Sequence, residues 1–163
     1  MSFNIYNTNL ISREIYLDNQ CITTNLNLEV EKKIKKEVEG YCISEGYVKP
    51  NSVIIINTSS GVLKSNLIHF NIVFECLIAY PIETQKIKCK VNSITKVGFR
   101  CETLEDINPF IIFVARDHHH NNSLFISIKE NDIIIVKVLG QRFELNDTKI
   151  SIIAELLEKT DEA

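Results

Sequence analysis

The alternation of apolar and polar residues predicts that most of this chain forms β-strands. From residue 10 to residue 17 apolar side chains occupy every second position except at Arg13, which is the period of a strand with one buried face. The longest such pattern spans residues 69–80, where one side is apolar throughout and the other is mixed. A strand of this kind usually lies against a helix or a second domain. Shorter strands are expected at 41–48 and 53–57, before a turn at 58–61.

One segment shows the period of a helix instead. Between residues 26 and 38 an apolar side chain recurs every four positions, which predicts an amphipathic helix with one buried stripe. Asn25 or Asn27 can cap its start, and Gly40 is placed to end it. The charge run at residues 31–37 is first a solvated helix face, with a phosphate-binding patch as the alternative. Two favourable ion pairs at i,i+4 spacing are expected: Glu29 with Lys33, and Glu31 with Lys35.

The rest of the chain has strand patterns without helical periodicity between them. Pro81 interrupts the ladder and marks a boundary between a first domain, residues 1–81, and a second, residues 82–163. Five short strands within about seventy residues are typical of a small closed barrel. We therefore predict an α+β protein, with one main helix on an antiparallel sheet followed by a five-stranded barrel. The five barrel strands are expected at 86–91, 97–101, 110–115, 132–139 and 150–156.

Charge adds a local rather than a global signal. The net charge of −3, from 18 basic and 21 acidic side chains, gives no general field that attracts nucleic acid. Residues 86–100 nevertheless hold four lysines and one arginine without an acid, whereas the tail at 155–163 holds four acids and one lysine. A locally basic strand pair predicts a modest attraction to phosphates. On charge alone, a solvated strand face is an equal alternative.

Other composition signals point to an intracellular protein without a catalytic centre. The five cysteines contain no CxxC pair, so we expect reduced thiols and no zinc site. No apolar run exceeds six residues, and the first ten residues lack the pattern of a secretory signal. The histidine run at 118–120 is expected to be a solvated loop, with weak metal binding as the alternative. No catalytic residue, metal or cofactor is predicted.

Four motifs in the second domain occur in an order that resembles a known barrel. They are Gly98-Phe99-Arg100, then IIFVARD at 111–117, NDIIIVKVL at 131–139 and DTKISIIA at 147–154. This order is similar to the RNA-binding OB barrel first described in a small-subunit ribosomal protein. The resemblance implies an OB-fold in residues 82–163, with an acidic C-terminal tail.

Motifs in the first domain resemble those of a second known family. VEGYC at 38–42, GYV at 46–48, SSGVLK at 59–64 and CLIAYP at 76–81 are similar to the seventh subunit of RNA polymerase II and to its counterpart in the archaeal RNA polymerase. The two motif sets together cover residues 8–157 in the order of that family. The resemblance implies an RNP-like N-terminal tip domain followed by the OB barrel.

What this family resemblance implies is a non-catalytic stalk subunit of a multisubunit DNA-directed RNA polymerase. The tip domain would dock on the core, at the largest subunit and the small subunit at the clamp base, and the barrel would contact nascent single-stranded RNA. A fourth-subunit partner would pack along both domains. The sequence departs from that family in the acidic loop at 102–109, in the histidine run at 118–120 and in the turn at 64–66, which lacks the family's glycines. These departures indicate a divergent member. Together with the isoleucine-rich composition and its 14 lysines to 4 arginines, they suggest a large DNA virus or a fast-evolving eukaryote, which can lack that partner. Its location would be the nucleus for a cellular protein, and the virion or cytoplasmic factory for a viral one.

Candidate RNA-binding residues follow from how OB barrels hold single strands, by stacking bases on aromatics and holding phosphates with cations. Phe113 lies inside an apolar run and is expected in the core, while Phe143 is a further aromatic candidate. The predicted RNA-binding residues are Lys88, Lys90, Lys96, Phe99, Arg100, Arg116, Arg142 and Lys149.

Candidate docking residues lie at turns of the first domain. The turns at 17–23 and 61–66 are expected at the end of the sheet opposite the barrel, and this end is predicted to dock on the polymerase core. The predicted docking residues are Val62, Leu63, Lys64 and Leu67.

Two other functions are compatible with the same residues. One is a free-standing regulator that binds single-stranded RNA through one OB barrel, which leaves the first domain unexplained. The other is an assembly scaffold whose barrel no longer binds RNA, an interpretation that the net acidity favours.

Overall fold

The structure of the protein, a computed structural model, describes residues 4–21 and 25–160. It is α+β as predicted, mostly sheet, with two α-helices among the described residues. The first half forms a six-stranded sheet and the second half a closed five-stranded barrel. The first half contains β1 (Tyr6–Asp18), a 3-10 turn (Asn19–Cys21), α1 (Leu26–Val38), β2 (Cys42–Ile43), β3 (Gly46–Val48), β4 (Ile54–Thr58), β5 (Val62–Lys64) and β6 (Leu67–Ala79).

The two long strands β1 and β6 organise the first sheet. They pair antiparallel over all thirteen residues, from Tyr6 opposite Ala79 to Asp18 opposite Leu67. β2 to β5 are short and continue the sheet on the other side of β6. β1 begins four residues before the alternation does, because residues 7–9 are polar and are held by pairing with β6 rather than by burial.

Helix α1 covers one face of this sheet. Its buried side chains are Val30, Ile34 and Val38. They share a core cluster with Phe74 of β6. Asn25 stands at the N-cap position but makes no side-chain hydrogen bond to the helix. The helix ends as predicted, because Gly40 takes a φ of +80° that suits a residue without a Cβ, and its N–H donates to Val48 O at 2.9 Å.

The exposed face of α1 is a network of lysines and glutamates, as a solvated helix face should be. The predicted pair of Glu31 with Lys35 forms, but the predicted pair of Glu29 with Lys33 is wrong. The pairs that replace it are Glu29 with Lys32 at 3.3 Å and Lys33 with Glu37 at 3.7 Å. This mutual neutralisation weakens the alternative of a phosphate-binding patch.

The barrel has the strand order of an OB-like fold. Its elements are β7 (Lys86–Thr95), β8 (Gly98–Thr103), β9 (Phe110–Ala115), a 3-10 turn (Arg116–His118), α2 (Ser123–Ser127), β10 (Ile133–Arg142) and β11 (Ile150–Thr160). The sheet closes in the order β10-β11-β9-β8-β7. Neighbours are antiparallel except β9 and β11, which run parallel. The predicted five-stranded barrel is confirmed, whereas the five-residue helix α2 before β10 is too short to leave a periodic pattern and was not predicted.

The barrel packs on the end of the first sheet that holds Tyr6 and Ala79. The Tyr6 hydroxyl donates to Ile107 O at 2.9 Å. Backbone bonds join Cys42 to the loop between β10 and β11, since Cys42 N–H donates to Asp147 O at 2.7 Å and Asn146 N–H donates to Cys42 O at 2.9 Å. Tyr6 and Cys42 both belong to the same core cluster as the barrel interior. The opposite end of the sheet, at Asp18 and Leu67, therefore points away from the barrel.

Four cysteines lie buried as free thiols, as the sequence predicts for them: Cys42, Cys76, Cys89 and Cys101. Burial raises the pKa of the Cys42 and Cys76 thiols to about 11 in each case. These two are therefore protonated near neutrality and poor nucleophiles. In the described ranges no helix is long and apolar enough to cross a bilayer.

Candidate nucleic-acid interface

An outward-facing row of side chains crosses the barrel. Arg100 on β8 is in register with Phe113 on β9, and Phe113 is in register with Ile153 on β11. The residues on either side of each are buried, so these three point outward. We call this set, extended at its ends to Ser93 on β7 and Gly140 on β10, the outer row. It crosses the face of strands two and three that OB folds use for oligonucleotides.

Phe113 is the aromatic residue of this row. The sequence prediction that it belongs to the core is wrong, because Phe110, Ile112 and Val114 fill the interior from β9 and leave Phe113 half-buried on the outside. The segment 110–115 is apolar on both faces, so its pattern alone does not say which face is inside. A partly exposed ring on a strand next to a guanidinium is suited to stack a base and hold the adjoining phosphate.

Phe99, predicted to stack on RNA, is instead a core residue. Its side chain is 2 % exposed and lies flat against Phe125 of α2, with ring centroids 4.1 Å apart. Because Phe99 alternates with the outward-facing Arg100, it must face the interior. It is therefore not available to a ligand on the barrel surface.

The predicted cations do not form one cluster. Lys96 and Arg116 lie at the barrel end remote from the first sheet, where Arg116 N–H donates to Val97 O at 2.9 Å. Arg142 and Lys149 flank the loop before β11 at the other end, and Arg142 lies 3.5 Å from Glu144 in an exposed ion pair. The predicted cations fall into separate groups because successive antiparallel strands end alternately at the two ends of the barrel.

Lys88 and Lys90 form a third group on β7. In the sheet they lie next to β10, in register with Ile135 and Ile133. Arg100 lies on β8, beyond the β-bulge that separates it from Lys90. Among the described residues no carboxylate lies within 4.0 Å of any of these three cations. Within that part of the chain, Lys88, Lys90 and Arg100 thus place three positive charges without direct ion pairs on β7 and β8, with Glu102 in register with Lys90 as the nearby acid.

The histidine run is only partly the solvated loop that the sequence suggested. His118 and His120 are exposed, but His119 is 6 % exposed and stacks on Phe125 at 4.8 Å. Leu156 N–H donates to its Nε2 at 2.8 Å, so the proton lies on Nδ1, which is 2.7 Å from Ala115 O. His119 is thus a structural link between β9 and β11. In the part of the chain that the structure describes, no three possible ligand side chains converge on a metal position.

The predicted docking residues form an exposed hairpin at the far end of the first sheet. β5 and β6 pair around a turn at Ser65, whose φ is +57°. Val62, Leu63 and Leu67 are 54 %, 61 % and 42 % exposed, and Lys64 is exposed too. Asn19 N–H donates to Asn66 O at 3.3 Å, which joins the hairpin to the end of β1. Of the other predicted turn, at 17–23, residues 22 and 23 lie outside the described residues.

Sequence reasoning missed a polar cluster on the open face of this sheet. His69 Nδ1 lies 2.9 Å from Glu14 Oε1, and the His69 ring meets Tyr16 edge to face at 4.4 Å. The hydrogen bond from His69 holds the pKa of the Glu14 carboxyl below its usual range. These residues come together only through the register that sets Tyr16 opposite His69. The cluster borders Val62, the residue opposite His69 on β5.

Comparison with known protein families finds none whose model matches this chain, and comparison with curated proteins finds no matching relative. Its function is therefore inferred from the motifs and geometry of the chain itself.

Proposed function

We propose that the protein is a non-catalytic stalk subunit of a multisubunit DNA-directed RNA polymerase. The observation that carries the proposal is that the two ends of the molecule have different surfaces. Exposed apolar side chains occupy the hairpin at one end, and an OB-like barrel with a cationic and aromatic outer row occupies the other. In this function the first sheet is an RNP-like tip domain that docks on the core subunits, and the barrel meets RNA as it emerges.

The docking half of the proposal depends on the β5–β6 hairpin. Burying a Val or Leu side chain contributes roughly 1.5–3 kcal/mol, so three such residues can anchor an interface. Affinity purification of the tagged chain from its native cells should recover the large polymerase subunits and retain them at high salt, where surface charge pairs weaken. The substitutions Val62→Ser, Leu63→Ser and Leu67→Ser together should abolish that recovery.

The matched control changes three apolar residues of the barrel that are at least as exposed: Val97→Ser, Ile126→Ser and Leu145→Ser. This variant should recover the polymerase as the unmodified chain does. Recovery that survives the hairpin substitutions would reject the docking site, and absence of polymerase from every purification would favour a free-standing RNA-binding regulator.

The RNA half of the proposal depends on the outer row and its surrounding cations. Reversing the charge of Lys88, Lys90 and Arg100 to Glu should weaken binding of single-stranded RNA and flatten its salt dependence, because fewer counterions are then released. Phe113→Ala should weaken binding roughly 5- to 150-fold, the equivalent of one stacked base at about 1–3 kcal/mol.

The matched control reverses three lysines on α1, Lys32, Lys33 and Lys36, which changes the net charge by the same amount far from the barrel. RNA affinity should be little changed by it. If crosslinking in cells finds no nascent transcript on the barrel while the polymerase still co-purifies, the chain is an assembly scaffold. The net charge of −3 and the buried Phe99 favour that second candidate.

A further inference from the structure

A polar cleft opens beside the outer row, where a β-bulge separates β7 from β8. Val91 is in register with Cys101 and Ser93 with Arg100, so Asn92 is the extra residue of the bulge and has no partner. A bulge of this kind disrupts the ladder locally, bends the strand and re-aims its side chains. The cleft has a volume of about 310 Å³, enough for one small planar ligand. Its walls include Lys90, Asn92, Glu102, Leu104 and Asn131.

A carboxylate, an amide and an ammonium group line this cleft. Asn92 Nδ2–H donates to Glu102 Oε1 at 3.2 Å, which orients the carboxylate. Lys90 is in register with Glu102, yet among the described residues the two form no ion pair within 4.0 Å. The second oxygen of Glu102, the remaining lone pair of its Oε1 and the ammonium of Lys90 are therefore available to a ligand.

The rim of the cleft is held in place by the backbone. Asn131 adopts a φ of +70°, and its N–H donates to Val91 O at 2.9 Å. This bond fixes the start of β10 against the bulge. Leu104, which is 45 % exposed, supplies an apolar wall beside the polar groups. A flat ring could lie on that wall with its polar edge toward Glu102.

The cleft is a neighbour of the outer row. Glu102 follows Arg100 by two residues on the same face of β8, a separation of about 6.6 Å. A strand whose base stacks on Phe113 and whose phosphate meets Arg100 therefore brings the next base toward the cleft. A carboxylate here repels phosphate, so its favourable contact on RNA is a base edge that carries N–H groups.

Guanine fits this requirement best among the four RNA bases. Its Watson–Crick edge carries two adjacent donors, N1–H and the 2-amino group, which match the two oxygens of one carboxylate, and a neighbouring O6 that accepts from an ammonium or amide. Adenine and cytosine set a ring acceptor beside their amino group, and uracil has a single N–H between two carbonyls. We propose that the cleft is a guanine pocket, an inference that rests on the proposed RNA-binding function and gives it a base preference.

The test uses the full chain and short single-stranded RNAs that differ at one position. An oligouridine with one central guanosine should bind roughly tenfold more tightly than the same strand with inosine there, because inosine lacks the 2-amino donor to a charged acceptor. In Glu102→Gln the difference between guanosine and inosine should disappear. Affinity for plain oligouridine should stay equal or rise, since a negative charge is removed. Glu105→Gln, the same change in the loop that follows β8 and outside the cleft, should keep the full preference.

Each other result overturns the pocket in a distinguishable way. Equal affinity of the unmodified chain for guanosine, inosine and uridine strands rejects the guanine pocket and leaves RNA binding intact. A preference that persists in a folded Glu102→Gln variant places guanine elsewhere. If no strand binds at any salt concentration, both the pocket and RNA binding by the barrel are rejected, while polymerase docking is judged separately by co-purification.

Discussion

The two halves of this molecule differ in how much strand edge and sheet face they leave exposed. Every strand of the barrel has a neighbour on both sides, so closure leaves no free edge. The first sheet has one face covered by α1, and its strand β1 pairs, within the described residues, only with β6. An open edge and face of this size are usually protected or partnered. The barrel thus leaves no strand edge open, whereas the first sheet leaves an edge at β1 and one face uncovered within the described residues.

The largest expected effects come from two glycines, one in each half. A Cβ at Gly98 would lie 2.2 Å from Val114 O, and one at Gly46 would lie 2.6 Å from Ala79 O, with φ at +151° and +129°. Gly98→Ala and Gly46→Ala should each lower the free energy of unfolding by about 3 kcal/mol or more, through backbone strain and overpacking. Urea denaturation measures this.

The same pair of variants tests whether the halves unfold together. Since the barrel and the end of the first sheet share one core cluster, each substitution should shift one common transition. Two separate transitions, each sensitive to only one glycine, would contradict this. Gly140→Ala is the control, because nothing lies within 4 Å of its added Cβ, and its effect should stay within about 0.5 kcal/mol.

A smaller effect is expected from the buried histidine of the barrel. His119→Ala should cost about 2–3 kcal/mol in unfolding free energy, because it leaves Leu156 N–H and Ala115 O without their partner and removes a stacked ring. The two exposed neighbours provide controls, and His118→Ala and His120→Ala should each be close to neutral. Thermal unfolding of the three variants side by side is the measurement. Equal effects at all three positions would contradict a structural role specific to His119.

The contact between the halves should be weaker than the interior of either. Tyr6→Phe removes the hydrogen bond to Ile107 O and leaves that carbonyl without its donor, which should cost about 1 kcal/mol. Burial first, and then the neighbouring Tyr47 and Glu105, raise the pKa of Tyr6 above its usual value. Its phenol should therefore stay protonated, and ultraviolet titration should find a tyrosine that ionises only after the exposed ones. Ionisation of every tyrosine in a single early step would contradict this burial.

The smallest expected effect is on how the free energy of unfolding depends on pH, through one carboxylate in each half. The hydrogen bond from Lys159, followed by the Lys129 N–H, lowers the pKa of Asp132, as His69 lowers that of Glu14 in the first sheet. A lowered folded pKa gives stability that is present above the unfolded pKa of about 3.9 for Asp and lost as the pH falls through the folded value. Asp132→Asn should therefore remove no more than about 1 kcal/mol at neutral pH, and the difference from the unmodified chain should vanish in acid. A difference that persists in acid would contradict this assignment.

Elements with a single buried face were predictable from the sequence. The stripe of α1, the stop at Gly40 and the apolar side of β6 follow from periodicity, and the five barrel strands follow from their number and spacing. The segment 110–115 is apolar on both faces, so periodicity did not show that Phe113 lies on the outside. Phe99 is different, because its alternation with Arg100 in β8 is a sequence signal for an inward position that the prediction did not use. His119 was missed because its partner, Leu156, is 37 residues away.

The candidate site shows the same limit. The candidate cations of the barrel were predicted from local composition and from strand ends, but their division into three groups depends on where each strand lies in the closed barrel. The cleft at Glu102 depends on a bulge that no residue pattern marks. Contacts set by register between distant strands require the three-dimensional structure.

The parallel pairing of β9 with β11 has a consequence for the order in which the protein folds during its synthesis on the ribosome. β11 is the last of the five strands to be synthesised, yet it sits between β9 and β10. Until β11 emerges, the nascent barrel is an open four-stranded sheet, β10-β7-β8-β9. Its two edge strands are unpaired and can associate with other chains. The barrel can close only after translation has passed residue 150, so the first sheet can take shape earlier and the barrel's closure is the late step of maturation.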